Sequence, residues 1–191
     1  MKTYQTILSV AMASMALSSC GEPKVSESKD SEVASETMEV AGKAESRPSP
    51  LMVKEGEIGA KALKVQYGSP AVKGRVLWGD LVPYNVVWRT GANEASFVDL
   101  AQDMVVEGKQ LPAGKYSLFT IPKESGNWIV IFNSEWDLEH GHFQYDEKND
   151  VLRVEVSPEW ESESQESLSM DIQDPGLVIR WEKLKLPINI N

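Results

Sequence analysis

An all-β domain is the fold class this sequence predicts, an antiparallel β-sandwich or partly closed barrel of about nine to ten short strands, and three observations predict it. Apolar residues alternate with polar ones instead of recurring at helical spacing. Turn-forming residues interrupt that alternation roughly every ten positions. No segment carries a sustained helical period.

The elements follow in chain order. Leu63, Val65 and Tyr67 alternate with Lys64 and Gln66, the pattern of a strand with one buried face. Further strands are predicted at 75–80, 84–89, 95–100, 103–107, 114–121 and 127–133. Leu152, Val154 and Val156 alternate with Arg153 and Glu155. In ESLSMDIQD, from Glu166 to Asp174, Leu168, Met170 and Ile172 share one face while Ser167, Ser169 and Asp171 share the other. A last strand is predicted at 177–186. Glu107-Gly108-Lys109, Ser125-Gly126-Asn127, Lys148-Asn149-Asp150 and Pro175-Gly176 supply turns, since glycine tolerates positive φ and proline locks φ at a negative, turn-compatible value.

Ahead of this domain the composition changes twice. Lys2 precedes an apolar run from Ile7 to Leu17, and LSSC follows, ending at Cys20. The run is about half the length a helix needs to cross a bilayer, so residues 1–19 read as a lipoprotein signal peptide cut before Cys20. That cysteine would carry a diacylglycerol and an N-acyl chain, several chains together giving a firm anchor. Residues 20–50 combine this lipidated cysteine with a tether of Ser, Glu, Lys, Ala and Pro, too poor in large apolar side chains to offset its chain entropy. A coil of that length reaches about 30 Å. Residues 51–191 are left as a single β domain, long enough for a hydrophobic core.

The formal charge is −10, and removal of residues 1–19, whose only charged side chain is Lys2, makes it −11. Such a surface repels phosphate backbones, which argues against nucleic acid as a partner and leaves membrane attachment to the lipid. Cys20 is the only cysteine, so no disulfide forms within the chain and no thiol remains for catalysis or metal binding. The expected location is the bacterial envelope. Gly21 after the cysteine favours the outer membrane, with the face undetermined.

The densest chemistry lies in WRTGANE, Trp88 to Glu94. If it runs off a strand end, Gly91 permits a turn and Asn93 tolerates a left-handed backbone. Arg89 then offers a planar fork of donors to a carboxylate, sulfate or phosphate, Asn93 a donor and an acceptor, and Trp88 or Tyr84 a stacking face. Tyr84, Trp88, Arg89, Asn93 and Glu94 are therefore the candidate binding residues. The competing reading is architectural: Arg89 pairs with Glu94 or Asp80, Asn93 caps the turn and Trp88 fills the core.

Other motifs are weaker. LPAGKYSL reads as a hairpin entering a strand. Most tryptophans read as core, with Trp136 and Trp160 the most exposed because acidic residues surround them. His140 and His142 would point to one face of a strand, a weak metal-site candidate beside Asp137, Glu139 or Asp146. No cofactor is implied. G-x-S-x-G, H-E-x-x-H and glycine-rich phosphate loops are missing from the sequence.

Segments SPAVKGRVLWGDLVPYNVVWRTGANEAS, EGKQLPAGKYSLFTIP, NWIVIFN and DVLRVEV, with the ending LVIRWEKLKLPI, resemble the bacterial family called domain of unknown function 2911. The resemblance covers nearly all of the folded part and implies an exported β-rich protein, mostly of the Bacteroidetes lineage, with no established activity. Gly68-Ser69 departs from the Ser-Arg usual before the family's proline, and the segment after Asn133 is atypical.

Two functions of different class follow. One is a non-enzymatic envelope module binding a small anionic or saccharide ligand, or a protein partner, through Tyr84 to Glu94. The other is an envelope hydrolase or lyase with Glu94 as acid or base and Arg89 as electrostatic clamp, which requires Glu94 in a cleft with a raised pKa. The missing motifs favour the first. A purely structural envelope role is a third possibility.

Overall fold

The computed structural model of the protein describes residues 47–191. The predicted signal peptide, Cys20 and the tether up to residue 46 lie outside the described residues. The described chain is all-β. Its strands are β1 (Leu51–Ile58), β2 (Lys61–Gly68), β3 (Phe97–Leu100), β4 (Met104–Val106), β5 (Lys109–Leu111), β6 (Gly114–Ile121), β7 (Trp128–Asn133), β8 (Asp150–Val156), β9 (Glu159–Gln173) and β10 (Gly176–Asn189). Six form one antiparallel sheet in the order β1-β2-β3-β6-β7-β8, while β9 and β10 form a long hairpin and β4 and β5 a short one.

The pleat of β6 and β7, which sends successive side chains to opposite faces, explains the layering. Tyr116 and Leu118 of β6, with Trp128, Val130 and Phe132 of β7, face a core shared with Leu168 and Met170 of β9 and Leu177, Ile179 and Trp181 of β10. Phe119 and Ile131 face the other way, where Leu138 and the half-buried Tyr145 cover them. Both faces of these central strands are thus buried, which accounts for their nearly continuous apolar runs. The alternation read in β2 holds to the residue: Leu63, Val65 and Tyr67 are 2 %, 0 % and 2 % exposed.

Two expected strands do not form. Residues 75–80 and 84–89 make only the isolated bridges Trp78↔Val82 and Trp88↔Thr120. Backbone reversals at Lys73, Gly74, Gly79 and Asn85, with φ of 49°, 66°, 88° and 64°, break the pleat, and Pro83 has no N–H to contribute. Strand β1 has no counterpart in the sequence reading because most of its side chains are exposed and LMVKEGEI shows no alternation. Strand β9 starts at Glu159, well ahead of the predicted Glu166. Its outer half is exposed and its pairing with β10 slips in register between Arg180 and Leu184.

Candidate functional site

Strand β2 ends at Gly68, and the chain wanders irregularly until β3 begins at Phe97. WRTGANE lies in this stretch and is held by its own polar groups. Trp88 and Thr120 exchange backbone hydrogen bonds of 2.7 and 2.9 Å, docking the segment on the end of β6. The buried Thr90 hydroxyl lies 3.2 Å from that of Thr120, and the Ser96 hydroxyl donates to Thr90 O at 2.8 Å. Thr90 and Asn93, with φ of 53° and 65°, are the left-handed residues of the turn. Gly91 serves a different need from the one its sequence context suggested. A Cβ there would stand 2.7 Å from the Ser96 hydroxyl and 3.0 Å from Gly68 O, so close approach rather than positive φ calls for glycine.

The five candidate residues do not converge. Trp88, 9 % exposed, packs into the core and stacks on Trp181 with ring centres 5.7 Å apart. Tyr84 lies over Gly79 and borders neither of the cavities near the loop. Glu94 is met by Arg47 at 2.6 Å, and Arg89 forms an ion pair with neither Glu94 nor Asp80. It edges a small pocket of about 80 Å³ beside Trp136, Asp137 and Glu139. Burial acts to raise the Glu94 pKa, but the hydrogen bond and charge of Arg47, with Arg89 behind it, hold it below the usual carboxylate range. A general acid needs the opposite shift.

Arg89 turns away from Glu94. Its Nη1 donates to Asn93 O at 2.9 Å and, weakly, to His140 O at 3.5 Å. The segment 134–149 covers it: a Cβ on Gly141 would stand 2.3 Å from Arg89 Cδ and 3.0 Å from its Cβ, so glycine there lets the backbone lie on the arginine stem. Burial lowers the Arg89 pKa and the Glu94 charge opposes the drop, leaving the guanidinium charged.

Beneath this contact is a cavity of about 210 Å³. Arg75, Arg89 and His142 supply its charged and titratable groups, Trp88, Trp181, Leu81, Val82 and Pro70 its apolar wall, and Ser49, Gly91 and Ala92 the remainder. Its lining includes no carboxylate. Three of the lining residues carry a buried nitrogen with no hydrogen-bond partner among the described residues: Arg89 Nε, His142 Nδ1 and Trp181 Nε1. His142 is kept neutral at physiological pH, because burial and then the Arg89 charge lower its pKa.

The sequence reading placed His140 and His142 on a strand, but Gly141–Gln144 form a 3-10 turn with His140 as its N-cap. His140 is exposed and His142 joins the cavity wall. Among the described residues no group of three or more His, Cys, Asp or Glu side chains is placed to hold a metal. Trp160 is exposed, at 51 %. Trp136 is only half-buried, edge-on to Phe97 with Lys115 4.4 Å over its ring. Of the departures from the family pattern, Gly68 packs on Ala92 O and the Ser69 hydroxyl donates to Leu168 O at 2.6 Å.

Arg75, Trp181, Arg47 and Ser49 escaped the sequence reading. Trp181 reaches the cavity through an irregularity: pairing slips on either side of Glu182, whose φ is 54°. LVIRWEK carries no sign of that slip.

The segment that places His142 is fastened by one network. Asp150 Oδ2 accepts from Arg153 Nε at 2.6 Å and from the Tyr145 hydroxyl at 2.7 Å, and its Oδ1 accepts from Asn133 Nδ2 at 2.8 Å. Burial, then the hydrogen bond to Asp150, push the Tyr145 pKa up to about 12. A folded-state pKa above the unfolded value near 10 gives stability that is complete below about pH 10 and disappears as pH rises through about 12. Melting temperatures recorded from pH 9 to 12 are expected to fall more steeply for the wild type than for Tyr145→Phe. Identical slopes would assign the alkaline loss to another group.

Fold and site together define a class: a two-layer antiparallel β-domain with a cation-lined, partly apolar cavity where an irregular loop meets the long hairpin. Within that class the chain belongs to the family described as Protein of unknown function (DUF2911), whose profile matches residues 49–190. No curated protein and no solved structure matches it.

Proposed function

We propose that this chain is a non-enzymatic module of the bacterial envelope, anchored through a lipid on Cys20, and that it binds a small anion in the cavity beside Arg89. The observation that carries the binding reading is the set of buried, unpartnered nitrogens on Arg89, His142 and Trp181. A buried donor left unsatisfied costs about 1–3 kcal/mol, and a ligand rich in acceptors recovers that cost on binding. Arginine and indole nitrogens donate only, and no lining carboxylate competes for them. The lowered pKa of Glu94 favours binding over catalysis.

The test is calorimetric titration of the full chain in nonionic detergent against small organic and inorganic anions. Arg89→Gln is expected to weaken binding about 10–100-fold, the range of a charged hydrogen bond, with the melting temperature nearly unchanged. A large drop in melting temperature, with no anion bound by the wild type, would make Arg89 a purely architectural residue. The anchor is tested by detergent phase partitioning: wild type in the detergent phase and Cys20→Ser in the aqueous phase. Equal partitioning of the two would remove the lipid.

A further inference from the structure

Resting on the anion-binding reading of the Arg89 cavity, a narrower statement concerns which anion. All side-chain hydrogen bonds that Arg89 makes among the described residues leave from Nη1, toward Asn93 O and His140 O. The opposite edge of the guanidinium, formed by Nε and Nη2, is uncommitted, and Nε on that edge is buried. Two parallel N–H groups on one edge of a planar cation match the two coplanar oxygens of a carboxylate. The Gly141 backbone lies against the arginine stem and fixes the side chain. Binding therefore loses little rotamer entropy.

Hydration sets the valence. Arg75 also borders the cavity, but its Nε and Nη2 donate to Val72 O and Ala71 O. His142 contributes a polar nitrogen without charge. The two carbonyl acceptors of Arg75 are neutral, so two guanidinium charges border the cavity; its half-apolar wall still favours a monoanion, because a dianion gives up far more hydration on entry.

Shape sets the body. Trp88 and Trp181 stack with planes 17° apart and present aromatic surface to the cavity beside Val82. The volume of about 210 Å³ is that of roughly seven liquid waters, more than a lone carboxylate fills. Trp181, on the same lining, carries an indole N–H that is buried with no partner among the described residues.

We infer that the cavity takes a small monocarboxylate, its carboxylate on the Nε–Nη2 edge of Arg89 and its planar or apolar body along the Trp88–Trp181 pair.

The test titrates the full chain in nonionic detergent with benzoate, cyclohexanecarboxylate, acetate, inorganic phosphate, sulfate and benzamide. Benzoate or cyclohexanecarboxylate is expected to bind at least tenfold more tightly than acetate, phosphate or sulfate, and benzamide, of nearly the same shape but neutral, not to bind. Trp181→Phe, which keeps a ring and removes the N–H, is expected to weaken the preferred ligand severalfold. Arg89→Lys keeps the charge, loses the fork and is expected to weaken it at least tenfold; this half-buried site keeps the test open should Trp181→Phe fail to fold. Phosphate or sulfate binding more tightly than either ring carboxylate, with Arg89→Gln abolishing it, would overturn the carboxylate while leaving the anion site. Benzamide binding equal to benzoate, or undiminished benzoate binding by Arg89→Lys, would also overturn it. If no anion binds at all, both readings fall.

Discussion

Trp128→Ala is expected to destabilise the domain by about 3–5 kcal/mol, with a fall in Tm on the order of 10–15 °C. The indole is 0 % exposed. It pairs across the sheet with Val156, meets Trp78 edge-on with ring centres 5.0 Å apart, and donates its N–H to Lys123 O at 3.1 Å. Truncation therefore removes core contacts, leaves a void and strands a carbonyl near the β6–β7 turn. Trp160 touches the same aromatic group but is 51 % exposed, so Trp160→Ala is the matched control, expected to cost under about 1 kcal/mol. Equal losses in thermal unfolding would show that the group is not a rigid part of the core.

The second large effect is expected at Gly68. A Cβ there would lie 2.1 Å from Ala92 O and 3.0 Å from its carbonyl carbon, with backbone rather than a yielding side chain in the way. Ala92 N also donates to Gly68 O at 3.2 Å, so strand end and loop are wedged together. Gly68→Ala is expected to cost about 2–3 kcal/mol in urea unfolding and to weaken anion binding by shifting the loop that positions Arg89. Gly59, with φ of 62° and nothing within 4 Å of its added Cβ, offers the comparison. Alanine there costs only the left-handed strain of about 1–2 kcal/mol and leaves binding intact. If Gly68→Ala leaves binding unchanged, the wedge does not set the position of Arg89.

What the sequence revealed divides along a physical line. Strands with one buried face, such as that of Leu63, Val65 and Tyr67, write their pairing into a two-residue period and are read directly. Strand β1 buries little and so leaves no period to read. Residues 84–89 have strand-forming composition, yet Pro83 and the left-handed Asn85 reduce their pairing to the Trp88 bridge with Thr120. At the site, WRTGANE drew attention for sound chemical reasons, and Trp88 and Arg89 do border the cavity. Glu94 and Tyr84 lie elsewhere because the left-handed Thr90 and Asn93 turn the chain between Arg89 and Glu94, and the left-handed Asn85 turns it between Tyr84 and Trp88. Arg75 and Trp181 join Arg89 only through tertiary folding, one from an irregular loop and one from a slipped hairpin, and local spacing encodes neither. His142 was in view for the wrong partner: its 3-10 turn sends it to an arginine rather than to a second histidine.

The crowding of indoles has an optical consequence. Trp78 lies within 5.0 to 6.1 Å of Trp88, Trp128, Trp160 and Trp181, so five of the six tryptophans form one contiguous aromatic group. At such separations excitation migrates among rings instead of staying where the photon was absorbed, and circular dichroism carries the signature of coupled transitions. Light taken up at one ring of the group is shared with its neighbours, the pair bordering the cavity included. A molecule settling against Trp88 and Trp181 would thus dim or shift the emission of the whole group, and the unlabelled protein would signal its own occupancy.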